Sequence, residues 1–141
     1  MAKVKDLIKD RKTFTVQDDQ TVFDVAKFLV EHNIGAVPVL HDKKLVGIFS
    51  ERDIMKRVVA EARDPRSTRV SDIMTKGPVT VTPESTVEEC MVLMRDHNCR
   101  HLPICQDNQL WGLISLRDVL AHDIAEKEEE ARHLKAYIHS S

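Results

Sequence analysis

Leu110-Trp111-Gly112-Leu113-Ile114-Ser115-Leu116-Arg117-Asp118 decides how this chain folds, because sixty-five positions earlier it runs Leu45-Val46-Gly47-Ile48-Phe49-Ser50-Glu51-Arg52-Asp53. Each copy is a short apolar run holding a glycine, followed by Ser-x-Arg-Asp at the opening of a helical pattern. The Ser-x-x-Asp spacing suits a helix N-cap whose third residue reaches back to the capping amide. It also sets a carboxylate beside a helix N-terminus at the end of a strand, where polar groups can converge on a cleft. Local pattern alone favours the cap.

Outward from these stretches the same shift aligns Thr15-Val16 with Thr80-Val81, Thr21-Val22 with Thr86-Val87, His32-Asn33 with His97-Asn98, Pro38 with Pro103 and Asp42 with Asp107, without a gap. Val4-x-Asp6-Leu7-Ile8 answers Val70-x-Asp72-Ile73-Met74 one position farther apart. The chain is a tandem duplication, and a repeat of this kind governs the whole fold.

Each copy has one grammar. A helical turn (Val4 to Ile8; Val70 to Met74) leads into an extended piece, Phe14-Thr15-Val16 or Val79-Thr80-Val81. Thr21-x-x-Asp24 and Thr86-x-x-Glu89 are capping boxes that open helices. Behind them Val22, Val25, Ala26 and Leu29, and equally Val87, Cys90, Met91 and Met94, fall at helical spacing. The helices should end near His-Asn. Ala36 to Leu40 and Leu102 to Cys105 read as strands that carry a proline, which expects an edge position or a place facing a ligand. Asp42-Lys43-Lys44 and Asp107-Asn108-Gln109 read as hairpin turns. The last helix of each copy is expected to bury Ile54, Met55, Val58 and Val59, or Val119, Leu120 and Ile124.

The expected fold is therefore mixed α/β: two β-α-β-β-α repeats related by a pseudo-two-fold axis, sheet packed on sheet, with clefts between them. Repeat 1 covers residues 1–62, a polar linker 63–69, repeat 2 residues 70–122, and a charged helical tail 123–141. A unit of about 60 residues has a marginal core alone, which favours packing of the two copies.

Composition narrows the function. The 141 residues are 42% hydrophobic and 31% charged with net charge -2. That is an ordinary globular balance, without the basic field that nucleic acid or an acidic membrane would need. Nothing approaches a membrane span. Met1 to Lys12 is charged throughout and shows no apolar signal segment. Three cysteines favour a reducing compartment, so a cytoplasmic protein is expected. No nucleophile–base motif and no Walker or Rossmann glycine loop is present, so a non-enzyme is expected.

The ordered set resembles a tandem pair of CBS domains (a Bateman module): the β-α-β-β-α repeat, the helix ending in His-Asn, the Val-Pro-Val strand, and the Gly-hydrophobic-x-Ser-x-x-Asp close. The resemblance covers about residues 1 to 122. It implies a regulatory module that binds an adenosine-containing ligand between the copies, usually AMP, ADP or ATP and less often NAD or S-adenosylmethionine, and that pairs again as a homodimer. It implies that Asp53 and Asp118, beside Ser50 and Ser115, hold ribose hydroxyls, and that Thr15 and Thr80 line the ribose or phosphate end. Arg52 and Arg117 are then phosphate clamps, though each could equally be a solvated surface arginine. Gly35 and Ala36, with Val37 and Pro38, leave room for an adenine ring read by main-chain groups. In copy two Arg100 and His101, before Pro103, bring cationic groups instead, so the two pockets should differ. Lys76, in the Thr75-Lys76-Gly77-Pro78 turn, would add to that charge.

The run His97-x-Cys99-x-His101-x-x-x-Cys105 has soft-metal ligand types, but copy one has Ile34, Ala36 and Leu40 at the last three of these places, which argues for core or cleft positions. Trp111 is expected to cover apolar surface. In the tail, Leu120, Ile124, Ala131, Leu134 and Ile138 keep helical spacing among charges, giving a prolonged helix with a thin apolar stripe for a second protomer, a partner, or solvent. The overall expectation is an energy-sensing regulatory module without a catalytic cofactor, which reports occupancy through dimer geometry or a regulated protein. A ligand-free dimerising adaptor and a catalytic protein, for which no motif speaks, are the other classes.

Overall fold

The computed structural model describes residues 1–140. In chain order it contains α1 (Val4–Leu7), β1 (Val16–Gln17), α2 (Val22–His32), β2 (Ala36–His41), β3 (Lys44–Ser50) and α3 (Glu51–Asp53), which runs directly into a π-helical stretch (Ile54–Val59). Then follow α4 (Val70–Ile73), β4 (Thr75–Lys76), α5 (Val87–His97), β5 (His101–Gln106), β6 (Gln109–Ser115) and α6 (Leu116–Ser140). The expected mixed α/β repeat is present twice, each copy preceded by one helical turn.

The local signals act as their chemistry requires. Thr21 and Thr86 cap α2 and α5 by accepting the amides of Asp24 and Glu89, and the reciprocal bond closes at Thr86, whose amide donates to Glu89 Oε2 at 3.3 Å. Both helices stop at an asparagine in the left-handed region, Asn33 (φ 52°) and Asn98 (φ 50°), a conformation that asparagine tolerates well. Asp107 and Asn108 are both left-handed (φ 54° and 62°), as a two-residue hairpin turn of the favoured twist demands.

Strands order as β1-β2-β3-β4 in one sheet and β5-β6 in another, with β1 parallel to β2 and the other pairs antiparallel. The edge placement expected for the prolines holds differently in the two copies. Pro38 lies on β2, which has neighbours on both sides, but the β1 ladder reaches only Val39 and Leu40. The missing Pro38 N–H thus falls short of where β1 begins. In copy two the Pro103 carbonyl accepts the Val81 amide at 3.0 Å, part of an isolated bridge between Val81 and Ile104.

The two repeats exchange their leading turns. Val4, before copy one, is fully buried among Val81, Val87, Leu102, Ile104 and Ile114 of copy two, while Val70, Ile73 and Met74, before copy two, complete the core of Val16, Val22, Val37, Val39 and Phe49 in copy one. The backbone repeats the pattern. Val87 N donates to Ala2 O (3.1 Å) and Val4 N to Ser85 O (2.9 Å), matching Val22 N to Thr68 O and Val70 N to Gln20 O (both 2.9 Å). These bonds satisfy first-turn helix amides that have no partner within their own helix. In packing terms Val4 to Leu7 therefore belongs to copy two.

The strand glycines lie where an exchanged segment crosses close. A Cβ on Gly47 would stand 2.7 Å from the Thr75 carbonyl and from Met74 Sδ, and one on Gly112 would stand 3.0 Å from Ile8 Cδ1. The crossings then diverge. After α4 the chain pairs with β3 as β4 (Gly47 with Lys76, Ile48 with Thr75). After α1 it forms no such strand and runs irregularly to β1.

The last helices correct one expectation. Val58 and Val119 are buried and Ile54 is half-buried, but Met55 (59% exposed), Val59 (69%), Leu120 (43%) and Ile124 (57%) face outward. Periodicity shows which residues share a face, not whether the same chain covers that face. Met55 and Val59 occupy the same repeat positions as Leu120 and Ile124, so both copies present a matched apolar pair. Helix α6 continues unbroken through the charged tail, with Asp123–Lys127 (3.5 Å) and Glu129–His133 (3.9 Å) contacts along it. No helix among the described residues is long and apolar enough to cross a membrane.

Candidate functional site

The irregular path from α1 to β1 leaves a cavity of about 900 Å³ between the copies, at the upper end of the range for small-molecule pockets. Four pieces of chain build it: Ile8 and Arg11 to Phe14 from the crossing segment, Asn33 to Ala36 with Pro38 and Glu51 from copy one, Arg100 and His101 from the start of β5, and Gly112, Leu113 and Ser115 to Asp118 with Leu120, Ala121 and Ile124 from β6 and α6.

Backbone bonds fix the two strand starts against the two helix starts. Leu116 N donates to Arg100 O at 2.8 Å, and at the matching place Glu51 N donates to Gly35 O at 2.9 Å. Arg100 and His101 are thereby held beside the N-terminus of α6. A Cβ on Gly35 would meet Glu51 Oε1 at 3.1 Å, the movable end of that side chain.

Asp118 closes the capping arrangement of α6. Its Oδ2 accepts the Ser115 amide at 2.9 Å, and its own amide donates to Ser115 Oγ at 3.1 Å. It also accepts two bonds from Arg11, Nη1 to Oδ2 at 2.8 Å and Nη2 to Oδ1 at 2.9 Å, the fork geometry that makes arginine–carboxylate pairs strong. Burial alone would push the Asp118 carboxyl up. The Arg11 guanidinium with the Ser115 amide and hydroxyl outweighs burial and holds the pKa below the usual carboxylate range. His101 moves down, first because it is buried and further because Arg100 is near, while Asp118 and Glu51 pull the other way. The ring is thus biased toward its neutral form.

Of the residues singled out from sequence, Gly35, Ala36, Pro38, Arg100, His101, Ser115, Arg117 and Asp118 come together here. Thr15, Val37, Ser50, Arg52, Asp53, Thr80 and Pro103 do not line this cavity. Val37 is fully buried in the first core, and Arg52 and Thr80 are exposed. Asp53 lies in a different setting from its repeat mate: 9% exposed, accepting the Ser50 amide (3.0 Å) and hydroxyl (3.2 Å), with Arg57 Nε 3.9 Å away. Arg57 is itself held by the carbonyls of Ile73 and Met74, at 3.0 and 3.1 Å. Lys76 pairs within β4 and is not part of the cavity wall. Trp111 is 46% exposed, and its carbonyl accepts Thr13 Oγ1 at 3.2 Å.

Sequence reading passed over Arg11, Lys12, Thr13, Phe14 and Glu51. For Arg11 alone there was a signal: it stands 65 residues before Lys76, in the crossing segment of the other copy. Among the described residues no three His, Cys, Asp or Glu side chains gather as a metal site would require. Cys99 and Cys105 are half-buried, and burial raises both thiols.

The cavity wall thus combines a carboxylate at a helix start, open backbone near Gly35, and the cations of Arg11, Lys12, Arg100 and Arg117 against the acids Glu51 and Asp118. Such a wall can accept hydroxyl donors at its carboxylates and hold an anion at its cations.

Known proteins share this architecture. A CBS-domain protein of Arabidopsis thaliana mitochondria, CBSX3, is 39% identical over 125 residues, which cover 85% of this chain and 61% of that protein. A solved structure of a protein with CBS domains from Burkholderia ambifaria MC40-6 superposes with a TM-score of 0.84 at 36% identity, covering 88% of this chain and 95% of the other. A CBS domain protein of Pyrobaculum aerophilum, PAE2072, solved complexed with AMP, gives a TM-score of 0.76 at 29% identity over 83% of this chain and 89% of its own. The CBS domain model matches residues 4–60 and again 70–124. With both repeats matched, the chain belongs to the CBS-domain family as a tandem pair, a regulatory ligand-binding module.

Proposed function

We propose that the protein is a non-catalytic sensor that binds an adenine nucleotide, AMP, ADP or ATP, in the cavity between Arg11 and Asp118. The observation that carries this reading is the wall itself, in which one carboxylate suited to a ribose diol stands among four cations suited to phosphate. The AMP complex of the Pyrobaculum protein supports the ligand class. A carboxylate that accepts two hydroxyl bonds contributes about 1.5–3 kcal/mol per bond at most.

Occupancy is passed on through dimer geometry or a regulated partner. The outward pair Met55–Val59 supports pairing with a second copy, since an apolar patch that nothing in this chain covers suits an interface, whereas Leu120 and Ile124 line the cavity. The cytoplasm is proposed as the compartment on the three free thiols, although the plant relative is mitochondrial.

Calorimetric titration with AMP, ADP, ATP, NAD and S-adenosylmethionine tests the reading. A ligand that binds only the folded state at a hundred times Kd raises stability by about 2.7 kcal/mol and should lift the melting temperature visibly. Asp118→Ala should weaken nucleotide binding at least about tenfold, the loss of one charge-assisted bond. Binding to that variant at wild-type strength leaves Asp118 as a cap alone. No thermal shift with any of the five ligands supports the adaptor class, and turnover of any of them overturns the non-catalytic reading.

A further inference from the structure

Arg11 occupies the carboxylate that the proposed nucleoside would need. It reaches Asp118 from a segment with no helix or strand of its own, at the mouth of the cavity, with its side chain 44% exposed while that of Asp118 is 20% exposed. Both Asp118 oxygens are engaged, and Oδ2 already takes the Ser115 amide. Oδ1 keeps one acceptor position, so a ribose diol, which needs two, must displace at least one of the guanidinium bonds.

The rest of the wall decides what displacement costs. With the Arg11–Asp118 pair set aside, Lys12, Arg100 and Arg117 face a single acid, Glu51. A released guanidinium would meet a surplus of like charge and forfeit both bonds of a bidentate pair whose arginine is 44% and whose aspartate is 20% exposed. A ligand that brings its own anion changes the outcome, because the fork of Arg11 fits phosphate as well as carboxylate.

On the reading that the cavity holds a nucleoside, we propose that Arg11 is a specificity latch: it yields Asp118 to the ribose only when the same ligand offers an anionic group to receive it. The site then rejects the bare nucleoside and accepts its phosphate through one residue. Arg11 thus couples the two ends of the ligand, and the coupling runs both ways, as linkage requires.

The experiment is calorimetric titration of the full chain and of Arg11→Ala with AMP and with adenosine. The latch predicts changes of opposite sign: in Arg11→Ala adenosine binds about tenfold tighter and AMP about tenfold weaker, so their ratio collapses by about a hundredfold. A static tether predicts otherwise, and a uniform loss for both ligands, or no change for either, overturns the latch. A measurement on the unaltered chain keeps the test independent of how the variant folds. Inorganic phosphate, against chloride at equal ionic strength, should tighten adenosine binding by giving Arg11 a partner; no tightening overturns the latch. If the unaltered chain binds AMP but these comparisons fail, only the latch falls. If it binds none of AMP, ADP, ATP and adenosine, the nucleotide reading falls with it.

Discussion

Val4→Ala tests the exchange of leading turns. Val4 stands four residues into the chain, where a surface substitution would ordinarily move stability by less than about 0.5 kcal/mol. Here it is fully buried in the core of copy two. Removing two methyl groups forfeits about 1.6 kcal/mol of transfer energy at about 0.8 kcal/mol per group. A residual cavity of about 30 Å³ adds roughly 0.7 kcal/mol at about 24 cal/mol per Å³. The expected loss is therefore about 2.3 kcal/mol, which at a urea slope near 2 kcal/mol per molar lowers the midpoint by about 1 M. Urea denaturation followed by Trp111 fluorescence reads it, since the single tryptophan lies on β6 of copy two. Native-state hydrogen exchange locates it: protection should fall first at Leu102, Ile104 and Ile114, not at Val37, Val39 and Phe49. Val70→Ala should give the reverse pattern, and Val30→Ala, on an 81% exposed side chain, should do almost nothing. A Val4→Ala midpoint equal to that of the parent, or early deprotection in copy one, refutes the exchange.

The other expectations follow from single contacts. Gly47→Ala should cost about 3 kcal/mol, because its Cβ meets a backbone carbonyl at 2.7 Å, whereas Gly112→Ala should cost less than about 1 kcal/mol because it meets the movable end of Ile8; equal shifts in thermal denaturation would contradict this. His101 is held neutral by burial, so in the ligand-free protein its contribution to stability should decline as pH falls below about 6.5, where the unfolded chain takes the proton more readily. Phosphate beside the ring should raise its pKa. Proton uptake on AMP binding near pH 6, read as a binding enthalpy that depends on buffer ionisation, should then be smaller in His101→Gln than in the parent, since the phosphate titrates in both, and equal uptake in the two would sink this role. Asp118, with its depressed pKa, should stabilise the fold above about pH 3.9 and lose that contribution as pH falls through its lower folded value. Arg11→Ala should shift that acid limb upward in circular dichroism, and an unmoved limb would show the pair to be ineffective.

Local chemistry was the legible part of the fold. Thr86 with Glu89, the left-handed Asn33 and Asn98, and the Asp107-Asn108 turn each act through neighbours within a few residues, so their patterns carry their structure. Spacing alone also made the duplication plain. What lay beyond reach was pairing across distance. Nothing beside Val4 says that it will pack under Ile104, and nothing beside Arg11 says that it will meet an aspartate 107 residues later. The two Ser-x-Arg-Asp motifs read alike, yet Asp53 is buried next to Arg57 while Asp118 opens on a cavity. That difference accompanies the crossing segments, one pairing as β4 and the other, one residue longer, staying irregular. The outward Met55, Val59, Leu120 and Ile124 were misjudged for a related reason, since an apolar face looks the same whether its cover lies in this chain or in another.

The crossed leading turns also bear on how stability depends on concentration. Two separate repeats could close their cores this way only by lending turns to each other, as swapped homodimers do, and their folding would then weaken on dilution. Joining them through residues 63–69 makes the loan intramolecular. A short tether holds its ends at an effective concentration in the millimolar range, so the paired cores remain closed at any dilution the cell imposes. Closure of the two cores is thereby uncoupled from the abundance of the protein itself.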